Sequence, residues 1–175
     1  HQRINKAKIV NIHPLQITTT NTSKKKNFFL AINELSLLRQ SKQTAFLKLK
    51  LNNKILIKKL IGDGILVSTP AGSTAYNLSV HGPILSLNSK KLAVTPISPF
   101  RPRRWKGKIV SDKTKIYISN IDSKKRPIAA VADNNEIRNI ATVKIIINKR
   151  IKCKLLFNSK ESLIKKIKLE QKKTA

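Results

Sequence analysis

Three successive apolar residues, Ile65-Leu66-Val67, follow Gly64 and precede a break at Pro70. Neighbouring side chains on a strand point to opposite faces, so a run without a polar position reads as a strand buried on both sides. Its two ends then carry the chemistry. Pro70 and Gly72 break the strand, and Ser73 and Thr74 follow as candidate N-caps of a short helix through Ala75, Tyr76, Leu78 and Ser79. Free N–H groups at such a helix start suit an anion or a ribose hydroxyl. At the other end Asp63 lies between Gly62 and Gly64. Glycines let a backbone approach a ligand closely, and a carboxylate there accepts hydrogen bonds from sugar hydroxyls. The same residues also suit a tight turn and a capped helix with no ligand.

The rest of the chain reads mostly as β. Lys8–Ile12 and Leu15–Thr19 are expected to be strands turning at His13-Pro14, with His13 a turn residue. Asn21-Thr22-Ser23 with Lys24-Lys25-Lys26 is expected to form a polar hairpin tip, and the apolar run Phe28–Ile32 delivers Asn33 and Glu34 to its end. Phe46–Leu51 and Ile55–Leu60 join at Asn52-Asn53 as a hairpin. Further strands are expected at Lys115–Ile118, Ile128–Val131, Val143–Ile147 and Ile151–Phe157. Many short strands separated by turn signals argue for a β-sandwich-like domain rather than a doubly wound sheet. One longer helix is expected from Ser159, with Leu163, Ile164, Ile167 and Leu169 on an apolar face.

With 175 residues, 40% of them hydrophobic, the chain can bury one core. No apolar run is long enough for a helical membrane span, so no membrane partner is expected. A single Cys153 excludes an intramolecular disulfide, is consistent with a reducing cytoplasm, and reads as a buried strand residue. No cluster has metal-ligand spacing, so no metal site is expected. The net charge of +29 would ordinarily suggest a polyanionic partner. The lysines are nevertheless scattered among asparagines and isoleucines, the pattern of a composition bias from an AT-rich genome. Aromatic residues make up only 5%, too few for a base-stacking platform, so nucleic acid is not the expected partner. The one dense patch, Arg101-Pro102-Arg103-Arg104-Trp105-Lys106, is expected to be a loop or subunit interface.

Gly62-Asp63-Gly64, the run Val67–Ser79 and Gly82-Pro83-Ile84 together closely resemble the core motif of the NAD kinase family. Ala31-Ile32-Asn33-Glu34 upstream and Leu92–Pro102 downstream match in the same order, and the stretch Pro99–Trp105 resembles the form in alphaproteobacterial members. The resemblance implies a mainly β fold, the β-sandwich-like C-terminal domain of NAD kinases, with a short helix after the Gly-Ser-Thr turn and a C-terminal helix. Residues 1–158 would form the NAD-binding domain, and 159–175 a helix packing on an N-terminal α/β domain. That domain carries a Gly-Gly-Asp-Gly motif in the family, with the general base and ATP cradle. No Gly-Gly pair occurs here, the chain opens on His1 and it contains no methionine, so it is expected to be the C-terminal portion of a longer protein without a catalytic residue of its own.

By resemblance, Asn33 and Glu34 are the Asn-Glu pair that binds NAD, and Asp63 is the acidic ligand at a ribose or the nicotinamide end. Thr74, Ala75, Tyr76, Asn77, Leu78 and Ser79 belong to the segment lining the adenosine side, and Thr44 falls at a further contact position. Asp133 and Asn135 align with an Asp-Gly-Gln-like turn, from which Val131-Ala132-Asp133-Asn134-Asn135 departs. The implied reaction is phosphoryl transfer from ATP, with Mg2+ or another divalent cation, to the 2′-hydroxyl of the NAD adenosine ribose, in a cytoplasmic homo-oligomer (dimer or tetramer). The alternatives are a non-catalytic nucleotide-binding remnant and a basic β-domain that binds nucleic acid.

Overall fold

Alternating burial sets the first layer. Leu15, Ile17 and Thr19 of one strand, and Ala45, Leu47 and Leu49 of another, are buried while their neighbours are not, as expected of a sheet with one face on a core. The computed structural model describes residues 7–157. The first six-stranded sheet has the order β3(Lys26–Ala31), β2(Leu15–Asn21), β13(Ile140–Ile147), β10(Ile116–Asn120), β5(Ala45–Leu51), β6(Lys54–Gly62). The second has the order β12(Asn135–Ile137), β11(Ile128–Ala132), β4(Glu34–Arg39), β7(Gly64–Ser68), β8(Lys91–Ile97), β9(Lys108–Ser111). All pairings within both sheets are antiparallel. Leu15, Ile17, Leu49, Ile116 and Val143 of the first sheet share one core with Leu35, Leu37, Ile65, Val67 and Leu92 of the second, which makes a β-sandwich.

β7 is buried at all five positions, as the unbroken apolar run implied. It lies between β4 and β8, one face on the shared core and the other against the one-turn helix α1(Tyr76–Ser79), which a 3-10 turn at Gly72–Thr74 precedes. The chain changes sheet at short corners, and two of these carry residues singled out in the sequence. Ile32-Asn33 links β3 to β4, and Asp63, between Gly62 and Gly64, links β6 to β7. At Gly64 a Cβ would run into the backbone of Leu37, so the glycine is required by close approach.

Several expectations change. β1(Lys8–Ile12) does not return along β2; it pairs with β14(Cys153–Phe157) in a separate two-stranded ribbon, and His13 Nδ1 donates to Ile151 O at 2.8 Å across that corner. Cys153 is half-buried rather than buried, because the ribbon stands outside both sheets. In the 101–106 loop Trp105 packs against the shared core, while neighbouring Phe100 is exposed beside Arg101 and Arg103. The helix expected from Ser159, and with it the boundary at 158/159, lies outside the described residues. No helix among the described residues is long and apolar enough to cross a membrane.

Candidate functional site

The corner that carries Asn33 and Glu34 is gripped from two sides. Three consecutive N–H groups, those of Ile32, Asn33 and Glu34, donate to the Asp133 carboxylate at 2.7, 3.0 and 3.2 Å. Asp133 occupies the left-handed region at φ 48°, which aspartate tolerates better than most residues. On the opposite side Thr69 N donates to Asn33 O at 2.9 Å, and the Thr69 hydroxyl donates to Ile32 O at 2.7 Å. That hydroxyl also accepts from Gly72 N at 3.2 Å. Gly72 lies so close to the Asn33 backbone that a side chain would have no room.

Glu34 is thereby held where its charge is costly. Its Oε2 is buried with no partner among the described residues, and burial, followed by the nearby Asp133 carboxylate, pushes its pKa from 4.5 up to about 7. Near neutral pH such a carboxyl can accept a hydrogen bond or, when protonated, donate one. A ribose hydroxyl or an amino group would complete it.

Asp63 sits at the far end of the same strand pair. In β4/β7, Glu34 faces Ser68 and Leu38 faces Gly64, so about five residue steps of roughly 3.3 Å, some 16 Å, separate the Glu34 corner from the Asp63 corner. Arg39, closing β4, donates from Nε to Asp63 Oδ1 and from Nη1 to Ser41 O, both at 2.6 Å, and its backbone N donates to Asp63 O at 2.9 Å. Asp63, Arg39, Lys42 and Tyr76 line an open basin of about 580 Å³. Between the two corners runs the 72–79 segment: Gly72 touches Asn33, and Tyr76 reaches the basin of Asp63.

Ser73 and Thr74 do not cap α1. The helix starts from Ala75 with no side-chain cap, and the Ser73 hydroxyl instead donates to Pro70 O at 2.8 Å and accepts from Leu85 N at 3.0 Å. Asn77 is fully buried; its Nδ2 donates to Ser73 O (3.2 Å) and Pro83 O (3.0 Å), and its Oδ1 accepts from the Thr95 hydroxyl (2.7 Å). Buried polar groups must be paired, and these pair within the loop and with Thr95 of β8. They fix the platform on which half-buried Thr74, Ala75, Tyr76 and Leu78, and exposed Ser79, are displayed. One helical turn carries little macrodipole, so the anion-binding reading of this helix start loses its basis.

The other candidates lie further out. Thr44 is on the β4/β5 crossover, where its carbonyl and hydroxyl accept from Arg126 Nη1 at 2.7 and 3.0 Å. Asn135 is exposed on β12, the outermost strand of its sheet. A concavity of about 610 Å³ on the outer face of the first sheet, lined by residues such as Thr18, Lys50, Tyr117 and Lys144, is the larger hollow. It is an open sheet face of threonines and lysines that contains none of the motif residues, so the two corners are the better candidate. The sequence carries no local signal for Arg39: the alternation of Glu34-Leu35-Ser36-Leu37 stops before it, and nothing nearby links Arg39 to Asp63.

Residues 32–149 match the family model described as the ATP-NAD kinase C-terminal domain. The chain belongs to the NAD kinase family. It is 46% identical over 170 residues to the NAD kinase of Zymomonas mobilis subsp. mobilis, covering 97% of this chain and 66% of that protein. With the NAD kinase of Caulobacter vibrioides it shares 43% identity over 170 residues, 97% of this chain and 65% of the relative. The chain thus spans about two thirds of the length of these NAD kinases. Among solved structures, the yeast NADH kinase complexed with NADH superposes with a TM-score of 0.81 at 23% identity, over 93% of this chain and 48% of that one. The NAD kinase from Archaeoglobus fulgidus in complex with ATP gives a TM-score of 0.71 at 22% identity, over 87% of this chain and 57% of that one. At that level of identity the likeness concerns the fold.

Proposed function

We propose that this chain is the NAD-binding part of an ATP-dependent NAD kinase. The carrying observation is the spacing of the two corners. Asn33-Glu34 and Asp63-Tyr76 stand roughly 16 Å apart along one strand pair, bridged by the 72–79 segment. A dinucleotide, with two nucleosides joined by a pyrophosphate, has the length to engage both. Relatives named NAD kinase, and a fold neighbour solved with NADH, support that choice of ligand.

In this reading Asn33 offers an amide and Glu34 a carboxyl to one nucleoside, Asp63 accepts from hydroxyls of the other, and Tyr76 supplies a π-face beside Thr74, Ala75 and Ser79. Asn77 and Leu78 shape the platform, and Thr44 and Asn135 lie at the periphery. The 2′-oxygen of the adenosine ribose attacks the γ-phosphorus of ATP. The new O–P bond forms as the β–γ bridging bond breaks, ADP leaves with that electron pair, and NADP is the product. The hydroxyl proton goes to a base expected in a Gly-Gly-Asp-Gly domain outside this sequence. Such transfer needs positioning and charge neutralisation more than covalent help. The divalent cation belongs with ATP, on its phosphates. Asp133 already serves three N–H groups and Asp63 serves Arg39, so these carboxylates are poor candidates for a protein-held metal. The assembly would be a cytoplasmic homo-oligomer.

The test is a fusion of this chain to the N-terminal third of the Zymomonas mobilis relative. NADP formation from NAD and ATP, lost in Asp63→Ala and absent from the 175-residue chain alone, is expected. A folded fusion that binds NAD without making NADP would refute the kinase reading and leave a nucleotide-binding remnant.

A further inference from the structure

We propose that Asp133 is a positioning residue for NAD, holding the Asn33-Glu34 pair in its binding geometry without itself contacting the nucleotide. This rests on the reading of Asn33 and Glu34 as NAD contacts. The sequence gives Asp133 no such task, since it lies some 100 positions away in a turn that departs from its family pattern.

The geometry is that of a carboxylate cap. Oδ2 accepts from Ile32 N, and Oδ1 accepts from both Asn33 N and Glu34 N. Asp133 N returns a hydrogen bond to Glu34 O at 3.2 Å, so the two corners are tied in both directions. Hydrogen bonds to a charged acceptor are stronger than neutral ones, and three converge on one side chain here. With both oxygens spent on the backbone, Asp133 is poorly placed to accept from a ligand. Its effect reaches the ligand through the corner it holds.

The cap has an electrostatic consequence. Asp133 places a negative charge beside a carboxyl that burial already disfavours as an anion. Across β7 the partner of Glu34 is Ser68, an uncharged residue whose hydroxyl is committed to Thr69 O, so among the described residues Asp133 is the charge that acts on Glu34. Asp133 therefore both orients Glu34 and favours its proton-donating form.

Two substitutions preserve the left-handed backbone, Asp133→Asn and Asp133→Gly, because asparagine and glycine both tolerate it. Asn removes the charge and leaves at least one of three N–H groups without its acceptor; Gly removes all acceptors. The titration midpoint of Glu34, followed by carboxyl carbon resonances in the 175-residue chain, is expected to fall in both variants. Amide exchange at Ile32, Asn33 and Glu34 is expected to quicken, and NAD affinity by calorimetry to fall about tenfold or more. A merely structural turn residue would not move the Glu34 midpoint selectively. An unchanged midpoint with unchanged amide protection overturns the cap. A lowered midpoint and faster exchange with NAD affinity retained overturns the assignment of Asn33 and Glu34 to NAD, and the positioning role falls with it.

Discussion

Replacing Glu34 by glutamine is expected to stabilise the fold above neutral pH while weakening NAD binding. In the native chain the carboxyl pKa rises from 4.5 to about 7, from burial first and the Asp133 charge second. The native state therefore holds a proton that the unfolded chain releases between those values. Linkage fixes the sign: the contribution of Glu34 to stability is fully present below pH 4.5 and is lost as the pH rises through 7. At ~1.4 kcal/mol per pH unit the ceiling is about 3.5 kcal/mol. Glu34 is only half-buried, and solvent screening reduces this to about 1–1.5 kcal/mol. Glutamine has nearly the shape of the protonated acid and never ionises. Urea unfolding of wild type and Glu34→Gln should give equal stabilities at pH 4 and a gain of about 1 kcal/mol for the variant at pH 8. Using the difference between the two proteins cancels the titration of other groups. The same difference at both pH values, or a less stable variant at pH 8, would mean that the fold does not hold Glu34 in its protonated form. The gain is the converse of function: a buried carboxyl oxygen without a partner is tolerated where a ligand will supply one.

The frame around the two corners is open to the same kind of perturbation. Gly72→Ala would drive a methyl group into the Asn33 backbone, costing about 1–3 kcal/mol in denaturant unfolding and reducing NAD affinity together with it. Thr95→Val keeps the volume but leaves buried Asn77 Oδ1 unpaired, an expected loss of about 1–3 kcal/mol that thermal melting should detect. Arg39→Met removes the partner of Asp63. Because both side chains are about one third exposed, at 35% and 36%, stability should change by less than about 1 kcal/mol while NAD affinity falls, as calorimetry beside urea unfolding would show.

The fold was readable where a local pattern reports its own surroundings. Ile65-Leu66-Val67 announced a strand covered on both sides, and Asn52, at φ 53°, closes the β5/β6 hairpin expected at Asn52-Asn53. β4 is harder to read, because the alternation of Glu34-Leu35-Ser36-Leu37 stops at Leu38 and polar Ser36 is buried beside Leu35 and Leu37, so the sequence does not show that both faces are covered. The partner of β1 was not readable: sequence neighbours suggest a hairpin with β2, but the pairing is with Cys153–Phe157. Asn33, Glu34, Asp63 and Tyr76 could be singled out by resemblance. Their arrangement could not, since it depends on two sheet-changing corners and on Asp133 reaching back across the chain. Ser73 and Asn77 look like ligand-facing polar residues in the sequence; only the buried hydrogen-bond network shows them holding the loop.

If NAD lies along the β4/β7 strand pair between the Glu34 and Asp63 corners, a titration of the 175-residue chain with NAD will move backbone amide resonances there. Saturable shifts concentrated at Asn33, Glu34, Asp63 and the 72–79 segment, and abolished by Asp63→Ala, are the predicted result. Shifts concentrated instead on the sheet face of Thr18, Lys50, Tyr117 and Lys144, or shifts at the two corners that survive Asp63→Ala unchanged, would contradict it.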